Sequence, residues 1–185
     1  MTTTIDRPAA IRSALRDLVA ERGFHGASMG AVAKAAGVAA GTAYVHYESK
    51  EELVYATYLE VKHQLSDAVL PQVDLDAPPR ERFIQLWTAI YRHYREEPAR
   101  AGFLAQLEAS PFYEEASRRL EDSGDPLLEQ ATRPDLIELL AELPMEVISA
   151  LTLGVAVRLV AAGITLSDEQ LDRVAEACWR AVTIG

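Results

Sequence analysis

The chain has 185 residues, of which 49% are hydrophobic and 25% are charged. This composition is typical of a soluble globular protein with one large domain or two small ones. The formal net charge of −10 gives no general sign of a nucleic-acid-binding protein. The single cysteine, Cys178, excludes an intramolecular disulfide.

The charge is distributed unevenly along the chain. The first 50 residues carry six basic and four acidic side chains, and the remainder carries twelve basic and twenty-four acidic ones. A mildly basic head on an acidic body is compatible with DNA binding at one end, and equally with none. Residues Met1–Arg12 lack an apolar signal core, so we expect a cytoplasmic protein.

Alanine, leucine, glutamate and arginine dominate the sequence, and segments that favour strands are scarce. We therefore predict an all-α protein of about nine helices. Ser28 is the predicted N-cap of a short second helix, and Ser49 and Ser167 each open a predicted capping box. The Pro and Gly residues place the helices after Asp6 to Gly23, then at 29–36, 40–47, 50–69, 80–96, 98–109, 111–122, 125–141 with an interruption at Pro134, 144–162 and 167–183.

The segment at residues 28–47 predicts two short helices joined by a tight turn. Gly37 would supply the left-handed backbone that reverses the chain, and Val38 would close a small core. The second short helix would then expose its N-terminal edge, as a recognition helix does in a major groove. We therefore predict a DNA-binding domain at residues 1–50, followed by a second helical domain at residues 51–185.

Residues 8–60 closely resemble the TetR family of transcriptional regulators. The resemblance rests on an alanine-rich second helix, Ala-Gly-Val at the turn, Gly-Thr-x-Tyr-x-His-Tyr on the third helix and Ser-Lys-Glu-Glu-Leu opening the fourth. It implies a dimeric regulator, most often a repressor, that binds a palindromic operator and is released by a small molecule. The implied DNA-binding residues are Ser28, Met29, Lys34, Ala39, Ala40, Gly41, Thr42, Ala43, Tyr44, His46, Tyr47 and Lys50.

The resemblance also implies roles for several of these residues. Ser28 and Lys50 would bind phosphates, Tyr44 would contact the DNA backbone, and Thr42 would face a base or phosphate. Tyr47 is expected either at the phosphate edge or in the small core. Ala43 cannot hydrogen-bond a base and would be limited to apolar contact, for example with a thymine methyl group.

The sequence departs from the family pattern at Ala39 and Ala40, where polar residues are usual. Ala39 cannot cap the third helix. Because the alanine-rich edge offers few hydrogen bonds to bases, we expect specificity to depend on few base contacts and on DNA shape. The departure also keeps open a second interpretation, a helical small-molecule-binding protein with a vestigial head.

The last two predicted helices suggest a dimer. The helix at 144–162 is apolar on all sides, so one face would pack on its own subunit and the other on a partner. The alternative is that both helices belong to the core of a monomer. The predicted interface residues are Ile148, Leu151, Val155, Arg158, Leu159, Leu171, Val174, Cys178, Trp179 and Val182.

Residues 55–115 are rich in aromatic side chains, and Trp87, Tyr91 and Tyr94 share one predicted helix face. Such residues favour either a pocket for a small molecule or an aromatic core of a helix bundle. The predicted pocket residues are Tyr58, His63, Trp87, Tyr91, Tyr94, Phe103, Gln106, Phe112 and Tyr113.

No catalytic or metal-binding motif is evident. The four histidines are scattered, no Gly-rich phosphate loop or G-x-S-x-G is present, and Cys178 lies on an apolar stripe. We therefore expect no cofactor, no metal and no enzymatic activity, although a small helical enzyme of unrecognised chemistry remains an alternative. The apolar stretch Leu143–Leu166 contains Glu146 and Arg158, which favours a buried helix over a membrane span.

Overall fold

The computed structural model describes residues 6–184, so Met1–Ile5 of the amino-terminal segment considered above and Gly185 lie outside it. The described residues form an all-α protein, which confirms the predicted fold class. A short 3-10 turn at Leu70–Gln72 follows the fourth helix. The helices are α1 (Arg7–Gly26), α2 (Met29–Ala35), α3 (Ala40–His46), α4 (Lys50–Val69), α5 (Pro79–Glu96), α6 (Pro98–Glu108), α7 (Tyr113–Asp122), α8 (Pro126–Ala131), α9 (Pro134–Ile137), α10 (Met145–Leu151), α11 (Leu153–Ala161) and α12 (Asp168–Val182).

The predicted helix caps are present. The hydroxyls of Ser28, Ser49 and Ser167 each accept a hydrogen bond from the backbone N–H three residues later, at 3.2, 3.2 and 3.3 Å. At Ser167 the reciprocal bond completes the predicted capping box. The predicted box at Ser49 has no such reciprocal bond, and the carboxylate of Glu52 binds Arg119 on α7.

Two of the ten predicted helical segments are divided, so the described residues contain twelve helices where about nine were expected. The segment 125–141 breaks before Pro134, as the proline suggested. The segment 144–162 breaks at Thr152, whose φ of −116° and ψ of −93° are not helical. Gly154, two residues after Thr152, is the local sequence feature that could have indicated this second break, which the prediction missed.

Tertiary hydrogen bonds stabilise the break at Thr152. The indole Nε1 of Trp87 donates to the Thr152 carbonyl at 3.0 Å. The guanidinium of Arg158 donates to the carbonyls of Ala150 and Gly154 at 2.7 and 3.1 Å. The carbonyls of Ala150 and Thr152, which the end of α10 would leave unpaired, are thereby satisfied by Arg158 and Trp87.

The three helices α1–α3 and the start of α4 enclose a small core. Ile11 and Leu15 of α1, Val32 of α2, Ala43 of α3 and Leu53 of α4 are all fully buried. Gly37 has a φ of 68°, which confirms the left-handed turn between α2 and α3. We call residues 6–49 the head.

The remaining helices pack around α5, which contacts α4, α6, α11 and α12. Trp87 and Tyr91 stack at 6.0 Å between ring centroids and are buried. The Tyr91 hydroxyl donates to the Ile164 carbonyl and accepts from the Leu166 N–H, both at 3.0 Å. These bonds fix the loop between α11 and α12 against α5, and we call residues 50–184 the body.

The head packs directly against the body through α1 and α6. A Cβ atom at Gly102 on α6 would lie 2.9 Å from the Cβ of Ala20 on α1, closer than real side chains approach. Beyond this crossing, Phe24 packs against Phe103 and Phe112, with ring centroids at 6.2 and 5.1 Å. The head and the body therefore share one continuous packed interface.

None of the helices within residues 6–184 combines the length and the hydropathy that a membrane crossing requires.

We predict that Gly102→Leu destabilises the protein by about 1–3 kcal/mol, because the larger side chain forces α1 away from α6. Gly30→Leu is the matched control, since no atom lies within 4 Å of a Cβ at this helical position. The control should not lose stability, because leucine favours helices more than glycine does. Urea unfolding at fixed protein concentration measures both changes, and equal stabilities of the two variants would contradict the close packing of α1 on α6.

Candidate nucleic-acid interface and internal cavity

Helix α3 has one buried face and one exposed face. Ala43 and Tyr47, four residues apart, point into the head and are 0% and 9% exposed. Tyr44 and Val45 point outward and are 55% and 82% exposed, and His46 is exposed as well. An exposed Val and Tyr on a helix of seven residues form a compact apolar patch with one phenol hydroxyl.

The structure divides the predicted DNA-binding residues into three groups. Seven are exposed, namely Ser28, Lys34, Ala39, Ala40, Gly41, Tyr44 and His46. Thr42 and Lys50 are partly exposed. Met29, Ala43 and Tyr47 are buried, at 6%, 0% and 9% exposure.

Burial corrects the expectations for Met29 and Ala43. The Ala43 methyl group has no exposed surface, so it cannot contact a thymine methyl group. Met29 packs into the same core of the head. Ala39 precedes α3 without a side-chain cap, as expected from its methyl group. Sequence reasoning missed Val45, although its position two residues after Ala43 places it on the opposite side of the helix.

Tyr47 holds the three-dimensional arrangement of the head. Its hydroxyl accepts a hydrogen bond from Arg12 Nη1 at 2.7 Å and donates to the Pro8 carbonyl at 3.4 Å. Arg12 Nη2 pairs with Glu60 at 2.7 Å, and this contact, above all others, raises the pKa of the guanidinium. The network joins α1, α3 and α4, so Tyr47 takes the core position that was one of its two expected places.

Lys50 lies between the head and the body. Its ammonium donates to the carbonyl of Phe24 and sits 5.8 Å from the centre of the Phe24 ring. Partial burial lowers the pKa of Lys50, and neighbouring Glu51 opposes that shift. In this arrangement the ammonium therefore binds a carbonyl in the last turn of α1. The expected contact with a DNA phosphate would have to share the ammonium with that carbonyl.

Two ion pairs lie close to the junction between the head and the body. Arg119 on α7 binds both carboxylate oxygens of Glu52, at 2.8 and 2.9 Å, and lowers its pKa. Arg16 on α1 pairs with Glu97 at the α5–α6 junction, at 2.8 Å. The Arg16–Glu97 pair therefore joins α1 directly to the α5–α6 junction, and the Arg119–Glu52 pair holds the first turn of α4, which follows the head, against α7.

The body contains an apolar cavity of about 200 Å³ between α5, α8, α10 and α12. Phe83, Leu86, Trp87 and Ile90 of α5 form one wall. The opposite walls come from later segments and include Leu127, Leu128, Leu136, Leu140, Ile148, Thr152 and Val182. The break at Thr152 therefore forms part of the cavity wall.

Only Trp87 of the predicted pocket residues lines this cavity. Tyr58, Tyr91, Tyr94 and Phe103 are buried in the helix-bundle core, which corrects their assignment to a pocket. Tyr113 is partly buried against the same core. His63 is exposed and lies 3.3 Å from the Ser123 hydroxyl, and Gln106 and Phe112 line a surface groove beside Lys50.

Most of the residues that line the cavity are aliphatic, and Phe83 and Trp87 are its aromatic members. Phe83, Trp87 and Ile90 recur at i, i+4 and i+7 on α5, a stripe adjacent to the one predicted. The sequence contained this second stripe. The opposite walls come from segments 40 to 100 residues away, and no local pattern could bring them together.

The predicted interface residues also separate into two groups. Ile148, Leu171, Cys178, Trp179 and Val182 are buried within the single chain, which corrects their assignment to an interface between subunits. Trp179, for example, packs on Phe83 with ring centroids 5.3 Å apart. Leu151 and Arg158 are exposed, and Val155, Leu159 and Val174 are partly exposed. Burial of Cys178 raises the pKa of its thiol to about 11.

Comparisons with known proteins cover nearly the whole chain. Residues 11–57 match the family described as bacterial regulatory proteins, tetR family, and residues 78–183 match the tetracyclin repressor-like C-terminal domain. An uncharacterized HTH-type transcriptional regulator of Haemophilus influenzae is 30% identical over 182 residues, with 96% of each chain covered.

Solved structures agree with these matches. A TetR-family transcriptional regulator from Haemophilus influenzae superposes with a TM-score of 0.74 at 30% identity, over 100% of both chains. A TetR family transcription regulator from Marinobacter aquaeolei superposes with a TM-score of 0.79 at 26% identity, over 97% of this chain and 96% of the other.

We predict that Tyr47→Phe destabilises the protein by about 1.5–2 kcal/mol, because it removes a hydrogen bond to the charged Arg12. Tyr44→Phe is the matched control, and it should change stability by less than about 0.5 kcal/mol because this ring is exposed. Thermal and urea unfolding measure both. Equal losses in the two variants would show that the Arg12–Tyr47 contact does not stabilise the head.

Proposed function

The chain belongs to the TetR family of transcriptional regulators, and from that premise we propose that it is a repressor that binds a palindromic operator as a homodimer. We further propose that a small molecule in the body cavity releases it from DNA. In this proposal residues 1–50 bind DNA, and residues 51–185 bind the ligand and the second subunit. Membership of this family implies regulation of transcription rather than catalysis.

The outward face of α3 is the observation that carries the DNA-binding proposal. Tyr44 and Val45 are exposed, while Tyr47 and Ala43 anchor the opposite face. The Tyr44 hydroxyl suits a phosphate oxygen, and the Val45 side chain suits a thymine methyl group in the major groove. Ser28 supports the same docking, because its exposed hydroxyl caps α2 and can still donate to a phosphate.

The few polar groups on this face support a particular kind of specificity. Ala39, Ala40 and Gly41 offer no side-chain hydrogen bonds at the start of α3. Apolar contact by Val45 would therefore read part of the half-site, and DNA shape would account for much of the remainder.

Selection from random duplexes, followed by footprinting, tests the DNA-binding proposal. We expect a palindrome with half-sites about one helical turn apart. Tyr44→Ala should weaken binding about tenfold at fixed salt, whereas Arg92→Ala, an exposed substitution on α5, should not. A reporter behind the selected duplex should be transcribed less when the protein is present. Failure to select any duplex would favour the vestigial-head interpretation, and increased transcription would indicate an activator.

Two exposed seams support the homodimer. Their members are spaced alternately by four and three residues, the spacing with which two helices pack side by side. One seam comprises Val155 and Arg158 of α11 with Ala162 at its carboxyl end, and the other comprises Gln170, Val174, Ala177 and Ala181 along α12. The alanines of the second seam would allow close approach of the partner's helices.

We predict that Ala177→Arg weakens the dimer by at least tenfold, because a long charged side chain would be forced into the contact between subunits. Asp172→Arg, on another exposed side of α12, is the matched control and should remain dimeric. Sedimentation at micromolar concentration distinguishes the two variants. A wild-type monomer, or an unaffected Ala177→Arg dimer, would contradict the proposed seam.

The connection from the cavity to the head supports ligand-induced release. Leu120 of α7 lines the cavity, and its neighbour Arg119 binds Glu52 near the start of α4. A ligand that spreads α5 from α8 would displace α7, and with it the Arg119–Glu52 contact at the first turn of α4, from which the head extends. Release requires that the ligand bind the DNA-free geometry more tightly than the DNA-bound one.

A further inference from the structure

The apolar cavity contains three charged side chains, Lys62, Arg82 and Asp125, and they differ in how fully they are paired. Burying a charge without a partner is costly, so an unpaired charge in an apolar wall indicates what a ligand must supply. This reasoning rests on the proposed function, because it names the chemical class of effector for the same cavity.

Arg82 is fully engaged by the protein. Its side chain is 2% exposed, and Nη2 donates to both carboxylate oxygens of Asp135 at 2.9 Å. Nη1 donates to the carbonyls of Ala77 and Leu75, at 3.2 and 3.5 Å. This guanidinium joins the segment before α5 to α9, and the carboxylate of Asp135 already balances its charge.

Asp125 is also fully engaged. Its Oδ1 accepts from the backbone N–H groups of Leu127 and Leu128 at 3.1 and 3.0 Å, which caps α8. Its Oδ2 accepts from the Ser66 hydroxyl at 2.8 Å. The residue is 1% exposed, and both of its carboxylate oxygens already accept hydrogen bonds from the protein.

Lys62 is the exception. Its ammonium makes no hydrogen bond and no ion pair with any residue in the range 6–184, although Asp125 and Glu108 are close enough to favour its charged form. Desolvation of the ammonium by the surrounding apolar residues acts against them and lowers the pKa of Lys62, although the residue as a whole is partly exposed. The side chain lies on α4 and lines the cavity opposite the apolar α5 wall.

We propose that the cavity binds an amphipathic monocarboxylic acid whose carboxylate pairs with the ammonium of Lys62. The apolar tail would lie along Leu86 and Ile90 toward Ile148. A cavity of about 150 Å³ holds a benzene ring, so the 200 Å³ available here suits a ligand of roughly eight to ten non-hydrogen atoms. Octanoate has this size and chemistry.

The protein provides its own reporter for a binding test. It contains two tryptophans, and Trp87 lines the cavity whereas Trp179 is buried outside it. In a Trp179→Phe background, tryptophan emission therefore reports occupancy of the cavity alone. Octanoate and octan-1-ol serve as probes, because they share a tail and differ in charge.

Octanoate should shift the Trp87 emission, and Lys62→Met should weaken its binding by at least tenfold. Methionine keeps the length and apolar packing of the lysine stem, so binding of octan-1-ol should change by less than about twofold. Lys34→Met, at an exposed position on α2, should affect neither probe. Thermal unfolding checks that each variant is folded.

Three results would overturn the inference: no change of emission with octanoate, equal weakening of both probes by Lys62→Met, or tighter binding of the alcohol than of the acid to the wild type. Operator binding is measured separately, without any acid. If the protein selects an operator but fails the octanoate test, only the effector class is wrong. If it binds octanoate but selects no duplex, the regulatory proposal fails and the acid site stands.

Discussion

The close crossing of α1 and α6 sets the position of the head relative to the body. Gly102 allows α6 to approach Ala20, and this approach brings Phe24 within reach of Phe103 and Phe112. Without it the head would be attached only through α4 and a few ion pairs. With it, the orientation of α3 depends on the position of the body helices, because interiors this closely packed transmit displacement rather than absorb it.

The head was predictable from the sequence because its signals are local. Ser28, Gly37 and Ser49 fix helix ends through hydrogen bonds or backbone conformations within three residues. The contiguous resemblance supplied the remainder, including the position of Tyr44. The sequence did not show which residues of α3 face inward. Once Ala43 is known to be buried, the helical spacing of two residues places Val45 on the exposed side.

The body was less predictable because its features depend on distant segments. The aromatic stripe at Trp87, Tyr91 and Tyr94 suggested a pocket, but two of the three rings fill the core and hold neighbouring helices together. An aromatic stripe in a sequence is compatible with a packed core and with a pocket wall, so the sequence alone does not distinguish them. The carbonyl at the Thr152 break accepts a hydrogen bond from Trp87, 65 residues earlier, and nearby Gly154 alone did not indicate where the helix would divide.

We propose that occupancy of the cavity and orientation of the head are coupled. Leu128→Trp places an indole in the cavity, and Leu139→Trp places one on an exposed position as a control. The operator affinity of each folded variant is the most direct measurement. We expect Leu128→Trp to lower operator affinity at least tenfold and Leu139→Trp to keep the affinity of the wild type. A Leu128→Trp protein that is folded and binds the operator as tightly as the wild type would contradict the account.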